Sequence, residues 1–143
     1  MNVSYSVEDL GKKGKGVVSK EFIKEGTVVY SLEKDVSKIV VEMKDLEEYL
    51  SRQADIGDVL SHGYCTGGKF IDLQYSDARF TNHSFNPPLR YNMETESSIA
   101  IRDIQPGEEL SENYSEYDIP DIYNAFMERY ANGNFMKQSK NWE

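Results

Sequence analysis

Two short polar segments constrain the fold of this 143-residue chain most strongly. The first, residues 79–87, reads RFTNHSFNP, and the second, residues 107–114, reads GEELSENY. Adjacent Asn, His and Ser side chains are not tolerated without partners in an apolar core, because each buried polar group left unpaired costs roughly 1–3 kcal/mol. The first segment is therefore expected either on the surface or facing a ligand. The second segment has one apolar anchor, Leu110, before its terminal tyrosine.

The composition indicates one soluble domain with a real core, since 38% of the residues are hydrophobic and 29% are charged. No apolar run approaches the roughly 20 residues that span a bilayer, and the N-terminus lacks the pattern of a secretory signal. We therefore expect an intracellular protein, cytoplasmic or nuclear. A single cysteine, Cys65, excludes an internal disulfide, and with only two histidines a zinc site is poorly supplied, so no metal is expected.

The formal net charge of −9 bears on the choice of partner. It disfavours direct binding to nucleic acid, which depends on Lys and Arg neutralising phosphates. It favours a basic peptide or protein, because an acidic surface raises the encounter rate with lysine-rich partners. Acidity for solubility alone is the alternative reading.

Short β-branched runs separated by glycine predict an architecture that is mainly β with peripheral helices. The predicted strands lie at 17–18, 27–30, 36–43, 69–73 and 98–104.

Two helices are predicted. The first begins at Asp45, with Glu48 as its capping-box partner and Leu46, Tyr49 and Leu50 on one apolar face, and Gly57 is its expected stop. The second begins near Asp118 or Asp121, with Pro120 in its first turn. Its expected apolar face consists of Ile122, Ala125, Phe126 and Tyr130, and Gly133 would end it.

A third motif, Gly14-Lys15-Gly16, precedes the first predicted strand. Glycines allow a backbone to approach a ligand closely. Taken alone, such a motif is usually only a turn. It matches neither a Walker loop nor a dinucleotide fingerprint.

Together and in this order, Gly14-Lys15-Gly16, Asn82-His83-Ser84 and the 107–114 segment resemble the motifs of SET-domain protein-lysine methyltransferases. The stretches 22–28 and 100–110 also look like strands of that family, and the resemblance covers about residues 2–114. It implies a β-clip type SET fold of short sheets, with a knot-like threading of the C-terminal motif. The implied boundaries are a SET domain at 1–117 and a helical tail at 118–143 that closes the site.

The resemblance also implies a cofactor, S-adenosyl-L-methionine, and a reaction, in-line methyl transfer to a lysine amine. The expected substrate is a protein with an accessible lysine, basic in character, histone-like or other. The residues implied to bind the cofactor are Gly14, Lys15, Gly16, Asn82, His83 and Tyr114, with Phe135 against the adenine. Tyr114 is the implied catalytic tyrosine, which orients the amine. Such transfer requires alignment and a neutral amine rather than a metal.

The chain departs from the family at several positions. Phe85 stands where many members have cysteine, and no cysteine follows Tyr114, so a zinc-binding tail is excluded. Leu32 lies near a position often held by a tyrosine of the substrate channel. Glu112 stands where an aromatic residue is usual. A carboxylate in the channel would attract a protonated lysine and raise its pKa, so either Glu112 points to solvent or the substrate is unusual.

The sequence leaves three functions open. The leading one is a protein-lysine methyltransferase. The second is a catalytically weak or inactive SET module that binds a basic peptide or partner protein, which the residues at Leu32 and Glu112 favour. The third is methylation of a small amine or of another side chain. Homodimerisation, which would build a peptide groove, is a further open alternative.

Overall fold

A computed structural model describes residues 1–117 and 120–131 of the chain. These residues form eight short strands, which are β1 (Tyr5–Asp9), β2 (Lys15–Ser19), β3 (Val28–Ser31), β4 (Ile39–Glu42), β5 (Tyr64–Thr66), β6 (Lys69–Asp72), β7 (Leu89–Asn92) and β8 (Ser97–Ala100). They also form four α-helices, which are α1 (Leu32–Asp35), α2 (Leu46–Ser51), α3 (Ile56–His62) and α4 (Asp121–Tyr130). The strands make small antiparallel sheets, which confirms the mainly β architecture. The knot-like threading and the boundaries 1–117 and 118–143 stay predictions.

The chain divides into two compact units. The first unit consists of Met1–Val36 and Phe80–Tyr114. The second unit contains Ser37–Arg79 together with residues 115–117 and 120–131. All three sequence motifs fall in the first unit.

Two small sheets build the first unit. Strand β1 pairs with β2, and a second sheet has the order β3-β8-β7. The second polar segment runs beside β2, because Val18 and Glu109 form an antiparallel bridge and the Leu110 N–H donates to the Val17 carbonyl at 2.8 Å. The fully buried side chains of this unit include Val17, Val29, Leu89, Ile104 and Leu110. The apolar anchor of the polar segment thus holds it against the core.

The second unit packs helices against a sheet of order β4-β6-β5. Its buried cluster comprises Val41, Leu46, Leu50, Val59, Leu60, Cys65, Phe70, Tyr123, Phe126 and Met127. The Tyr123 hydroxyl donates to the Leu60 carbonyl, so a polar group inside this cluster ties α4 to α3. The predicted apolar face of α2 is confirmed, since Leu46 and Leu50 are buried and Tyr49 packs against the cluster.

The predicted stop at Gly57 is wrong. Helix α2 ends at Ser51, and Gly57 lies inside α3, whose N-terminus is capped by the Asp55 carboxylate accepting from the Asp58 N–H at 3.0 Å. A Cβ on Gly57 would lie 2.4 Å from the Tyr130 carbonyl oxygen, so the glycine serves close packing rather than termination. The capping box at Asp45 is also wrong, because the Asp45 side chain makes no cap hydrogen bond.

Helix α4 begins at Asp121, one of the two predicted starts, with Pro120 at its N-cap. Its buried face is formed by Tyr123, Phe126 and Met127, whereas Ile122 is 45% exposed. The predicted face was therefore correct only at Phe126. The expected stop at Gly133 lies outside the described residues.

Candidate functional site

The three motifs meet in the first unit around the Asn82 side chain. The Asn82 Nδ2 group donates to the Lys15 carbonyl at 3.1 Å and to the Glu109 Oε2 atom at 2.8 Å. Asn82 is 9% exposed, so both hydrogen bonds are largely shielded from water. One side-chain amide therefore connects the glycine motif at the start of β2, the Asn-His-Ser segment and the Gly-Glu-Glu-Leu segment. We call this meeting point of Lys15, Asn82 and Glu109 the junction.

Gly16 allows this close approach. A Cβ at Gly16 would lie 2.3 Å from Leu10 Cδ1 and 2.9 Å from both Asn82 Nδ2 and Glu109 Oε2. The φ angle of Gly16 is not in the left-handed region. Glycine is needed here because the neighbouring atoms leave no space for a side chain. Gly14 differs, because it has φ +75° and ψ −138°, a conformation that glycine adopts without strain.

Charged groups of both signs flank this junction. The Lys13 ammonium contacts Glu109 Oε1 at 2.8 Å, so the Glu109 carboxylate is shared between Lys13 and Asn82. The Lys15 ammonium lies 5.5 Å from the centre of the Phe80 ring, within the range of a cation–π interaction. The junction thus offers a carboxylate, two ammonium groups, a side-chain amide and a backbone carbonyl within one small region.

His83 is buried in the first unit, with 3% exposure. Its Nδ1 atom accepts a hydrogen bond from the Tyr114 backbone N–H at 3.0 Å, so a neutral ring carries its proton on Nε2. The Phe85 ring meets the imidazole edge-on with centroids 4.4 Å apart, and the Tyr114 ring lies at 5.6 Å. The imidazole therefore fixes the backbone from which the Tyr114 side chain projects.

The Tyr114 hydroxyl donates to the Thr81 carbonyl, one residue before Asn82. The structure thus brings the predicted catalytic tyrosine and the predicted cofactor residues Asn82 and His83 into one cluster. Burial raises the pKa of the Tyr114 phenol above its ordinary value, and the nearby charges of Glu112 and Glu109 raise it further. The phenol therefore stays protonated, and remains a donor, through neutral and moderately alkaline pH.

Glu112 does not point to solvent. It is 1% exposed, and its Oε1 atom accepts from the Tyr30 hydroxyl at 2.5 Å and from the Ser98 hydroxyl at 3.1 Å. This burial excludes the alternative in which the Glu112 side chain points to solvent. A buried carboxylate requires such donors because its desolvation is costly.

The structure does not establish the predicted roles of two further residues, Leu32 and Phe135. Leu32 is buried at the start of α1, where its backbone N–H donates to the Glu96 carbonyl at 2.8 Å, and its place in a substrate channel stays a prediction. Phe135 lies outside the described residues. The sequence reasoning missed Tyr30, Ser98, Thr81 and Lys13 as neighbours of the motifs.

Within 1–117 and 120–131, no helix is long and apolar enough to cross a membrane. Over the same part of the chain, no group of three or more His, Cys, Asp or Glu side chains is arranged to hold a metal ion.

Replacing Asn82 by Asp tests the junction. We expect N82D to lose about 1–3 kcal/mol of unfolding free energy at neutral pH, because a donor to Glu109 becomes a second carboxylate. The loss should be smaller at a pH low enough to protonate the carboxylates, because the repulsion between them then disappears. Urea unfolding at several pH values measures both effects.

The matched control is Asn92→Asp. The Asn92 Oδ1 atom accepts from the backbone N–H groups of Glu94 and Thr95 in the turn after β7, and an Asp carboxylate keeps both acceptor roles. We expect N92D to retain parental stability. Equal stability of N82D and N92D would contradict the described geometry of the junction.

The chain matches the SET domain family over residues 14–115. Because this match spans well over half of the sequence, the protein belongs to the SET domain family. All three motifs, from Gly14 to Tyr114, lie inside the matched region.

A solved structure extends this result. The chain is similar to the methyltransferase domain of human histone-lysine N-methyltransferase SETMAR, with 26% sequence identity and a TM-score of 0.58. The similarity covers 80% of this chain but 45% of that chain, so the protein spans less than half the length of the SETMAR chain. No curated protein matches this chain by sequence.

Proposed function

We propose that this protein is an S-adenosylmethionine-dependent methyltransferase that acts on a lysine side chain of a protein. The observation that carries the proposal is the cluster in the first unit, where Asn82 links Lys15 to Glu109 while the following residue, His83, holds the backbone of Tyr114. Membership of the SET domain family supports the reaction class. The name of the SETMAR neighbour, a histone-lysine N-methyltransferase, supports lysine as the acceptor.

The residues of the junction fit the amino-acid end of S-adenosylmethionine, which carries an ammonium and a carboxylate. The Glu109 carboxylate and the Lys15 carbonyl, which the Asn82 amide holds in place, are acceptors suited to an ammonium, and the Lys13 ammonium is a donor suited to a carboxylate. The missing Cβ at Gly16 leaves the backbone in direct contact with these side chains. When bound, this cofactor supplies a methyl group already activated by a positive sulfur.

The protein's own part in the reaction is to align the amine and exclude water. We assign the alignment to Tyr114, whose hydroxyl is fixed by the Thr81 carbonyl and whose backbone is fixed by His83. Fixing the reacting groups in this way contributes several kcal/mol to catalysis. Since the phenol pKa is raised, Tyr114 stays neutral over the pH range in which a lysine amine begins to lose its proton.

The net charge of −9 supports a basic protein as substrate. Opposite net charges raise the association rate at low ionic strength, and salt screens this effect over about 10 Å at 0.1 M. A lysine-rich protein is therefore the substrate class we propose.

The experiment is a transfer of labelled methyl groups from S-adenosylmethionine to the proteins of a cell extract, followed by identification of the modified residue. We expect label on lysine, and calorimetric titration should show one cofactor molecule bound per chain. Absence of both binding and transfer would favour a non-catalytic module. Label on a residue other than lysine would overturn the proposed acceptor.

A further inference from the structure

Glu112 is a buried carboxylate with an unusual set of contacts. Tyr30 and Ser98 both donate to its Oε1 atom, and they are directly paired residues of β3 and β8. Directly paired residues of an antiparallel sheet place their side chains on the same face. One sheet face therefore presents two hydroxyl groups to the same carboxylate oxygen.

The backbone of Glu112 lies beside the Asn-His-Ser segment. Its N–H donates to the Asn82 carbonyl at 3.0 Å, its carbonyl accepts from the Ser84 N–H at 2.9 Å, and it forms a parallel bridge with His83. Tyr114 follows two residues later. The carboxylate is therefore built into the same cluster as the proposed cofactor and acceptor residues.

The titratable groups around Glu112 come from three elements. Tyr30 comes from β3, His83 from the paired segment, and Tyr114 and Glu109 from the segment that carries Glu112 itself. Burial is the largest cause of the raised pKa of the Tyr114 phenol, and the charge of Glu112 is the second. The electric field of Glu112 therefore reaches the Tyr114 hydroxyl. A field that disfavours the phenolate also favours an ammonium placed beside the same phenol.

We infer that Glu112 is a specificity-determining residue, which makes the site prefer a cationic acceptor amine over a neutral side chain of similar shape. This inference rests on the proposed function, because it requires an amine beside Tyr114. The preference has a consequence for rate. An amine stabilised as the cation must lose its proton to solvent before its nitrogen can accept a methyl group, so the carboxylate moves methyl transfer to higher pH.

The test uses the peptide around the lysine identified in the labelling experiment. Glu112→Gln keeps an oxygen that accepts from Tyr30 and Ser98 but removes the charge. We expect E112Q to raise KM about tenfold near neutral pH and to move the rising limb of the kcat–pH profile about one unit lower. E112D, which keeps the charge, should retain the parental position of that limb. If Glu112 acted only in folding, this limb would not shift in E112Q while keeping its parental position in E112D.

Glu108→Gln is the matched control. Glu108 pairs with Arg102 at 3.0 Å, and its carboxylate lies four residues from Glu112 in the same segment but outside the cluster. We expect E108Q to keep the parental KM and pH profile. If E112Q matched E108Q in both quantities, the inference would be overturned while the proposed methyl transfer stood.

A second measurement on the unaltered protein does not depend on the folding of any variant. The lysine peptide and the same peptide with norleucine at that position differ mainly in the ammonium. We expect the lysine peptide to bind about tenfold more tightly near neutral pH, by fluorescence polarisation, and the difference to shrink at alkaline pH. Equal or tighter binding of the norleucine peptide would overturn the inference. Absence of methyl transfer by the unaltered protein would instead overturn the proposed function and the inference with it.

Discussion

Tyr114→Phe is expected to lower kcat about a hundredfold while the dissociation constant for S-adenosylmethionine changes less than about threefold. The hydroxyl removed by this change donates to the Thr81 carbonyl and thereby fixes the ring. A misplacement of about 1 Å at a reacting centre is enough to cost roughly 10²-fold in rate. The groups assigned to the cofactor, Asn82 and Glu109, keep their mutual hydrogen bond in this variant.

Two measurements distinguish this result from general damage. Calorimetry of cofactor binding should give the same affinity for parent and variant, and single-turnover methyl transfer should carry the loss. Tyr75→Phe is the matched control, because the Tyr75 side chain belongs to the second unit and is 74% exposed. Parental turnover in Y114F would show that Tyr114 is not the catalytic tyrosine, whereas loss of turnover in Y75F would show that the assay reports something other than the site.

The pH dependence gives Tyr114 a further expected property. Since burial, followed by the charges of Glu112 and Glu109, raises its pKa, ionisation of this phenol should not limit the rate near pH 10, where a free tyrosine titrates. The pH–rate profile of the unaltered protein should therefore show no descending limb near pH 10, unless Y114F shows the same limb.

The local pattern of the chain was sufficient for much of the fold. Short runs rich in β-branched residues identified β2, β3, β4, β6 and β8, although the ends moved by several residues. Strands β1, β5 and β7 were not predicted, and β7 carries little signal because Leu89–Asn92 follows two prolines and contains arginine and asparagine. Helix α3 was not predicted, because a glycine typically ends a helix, whereas the role of Gly57 depends on Tyr130, a residue far along the chain.

The site residues that belong to the motifs were predictable from the sequence. Residues that reach the site through the pairing of distant strands were not. The motifs pointed to Asn82, His83 and Tyr114, and the structure brings these residues together. The burial of Glu112 was not predictable, because its partner Tyr30 is 82 residues away and its burial depends on β3 pairing with β8. A local pattern contains no information on which hydroxyl will face a carboxylate after folding.

Gly16→Ala is expected to weaken S-adenosylmethionine binding about tenfold to a hundredfold, with a loss of stability similar to that of N82D. The added Cβ would overlap the ends of three side chains, those of Leu10, Asn82 and Glu109. Such ends can move, so the chain should still fold, and Gly16 has no left-handed φ that alanine would strain. The movement, however, separates Asn82 from Glu109, and a lost hydrogen bond to a charged group costs roughly 1.5–3 kcal/mol.

Gly11→Ala separates this effect from backbone strain. Gly11 has φ +75° and no atom within 4 Å of the position of an added Cβ, so its replacement strains the backbone without a clash. We expect G11A to lose about 1 kcal/mol of unfolding free energy and to keep the parental cofactor affinity. Calorimetric titration therefore separates the two variants, because cofactor affinity is lost in G16A and retained in G11A, while thermal unfolding measures the loss of stability in each. Retained affinity in G16A would mean that the cofactor does not depend on the contact between Asn82 and the glycine motif, and the assignment of its amino-acid end to that junction would then fail.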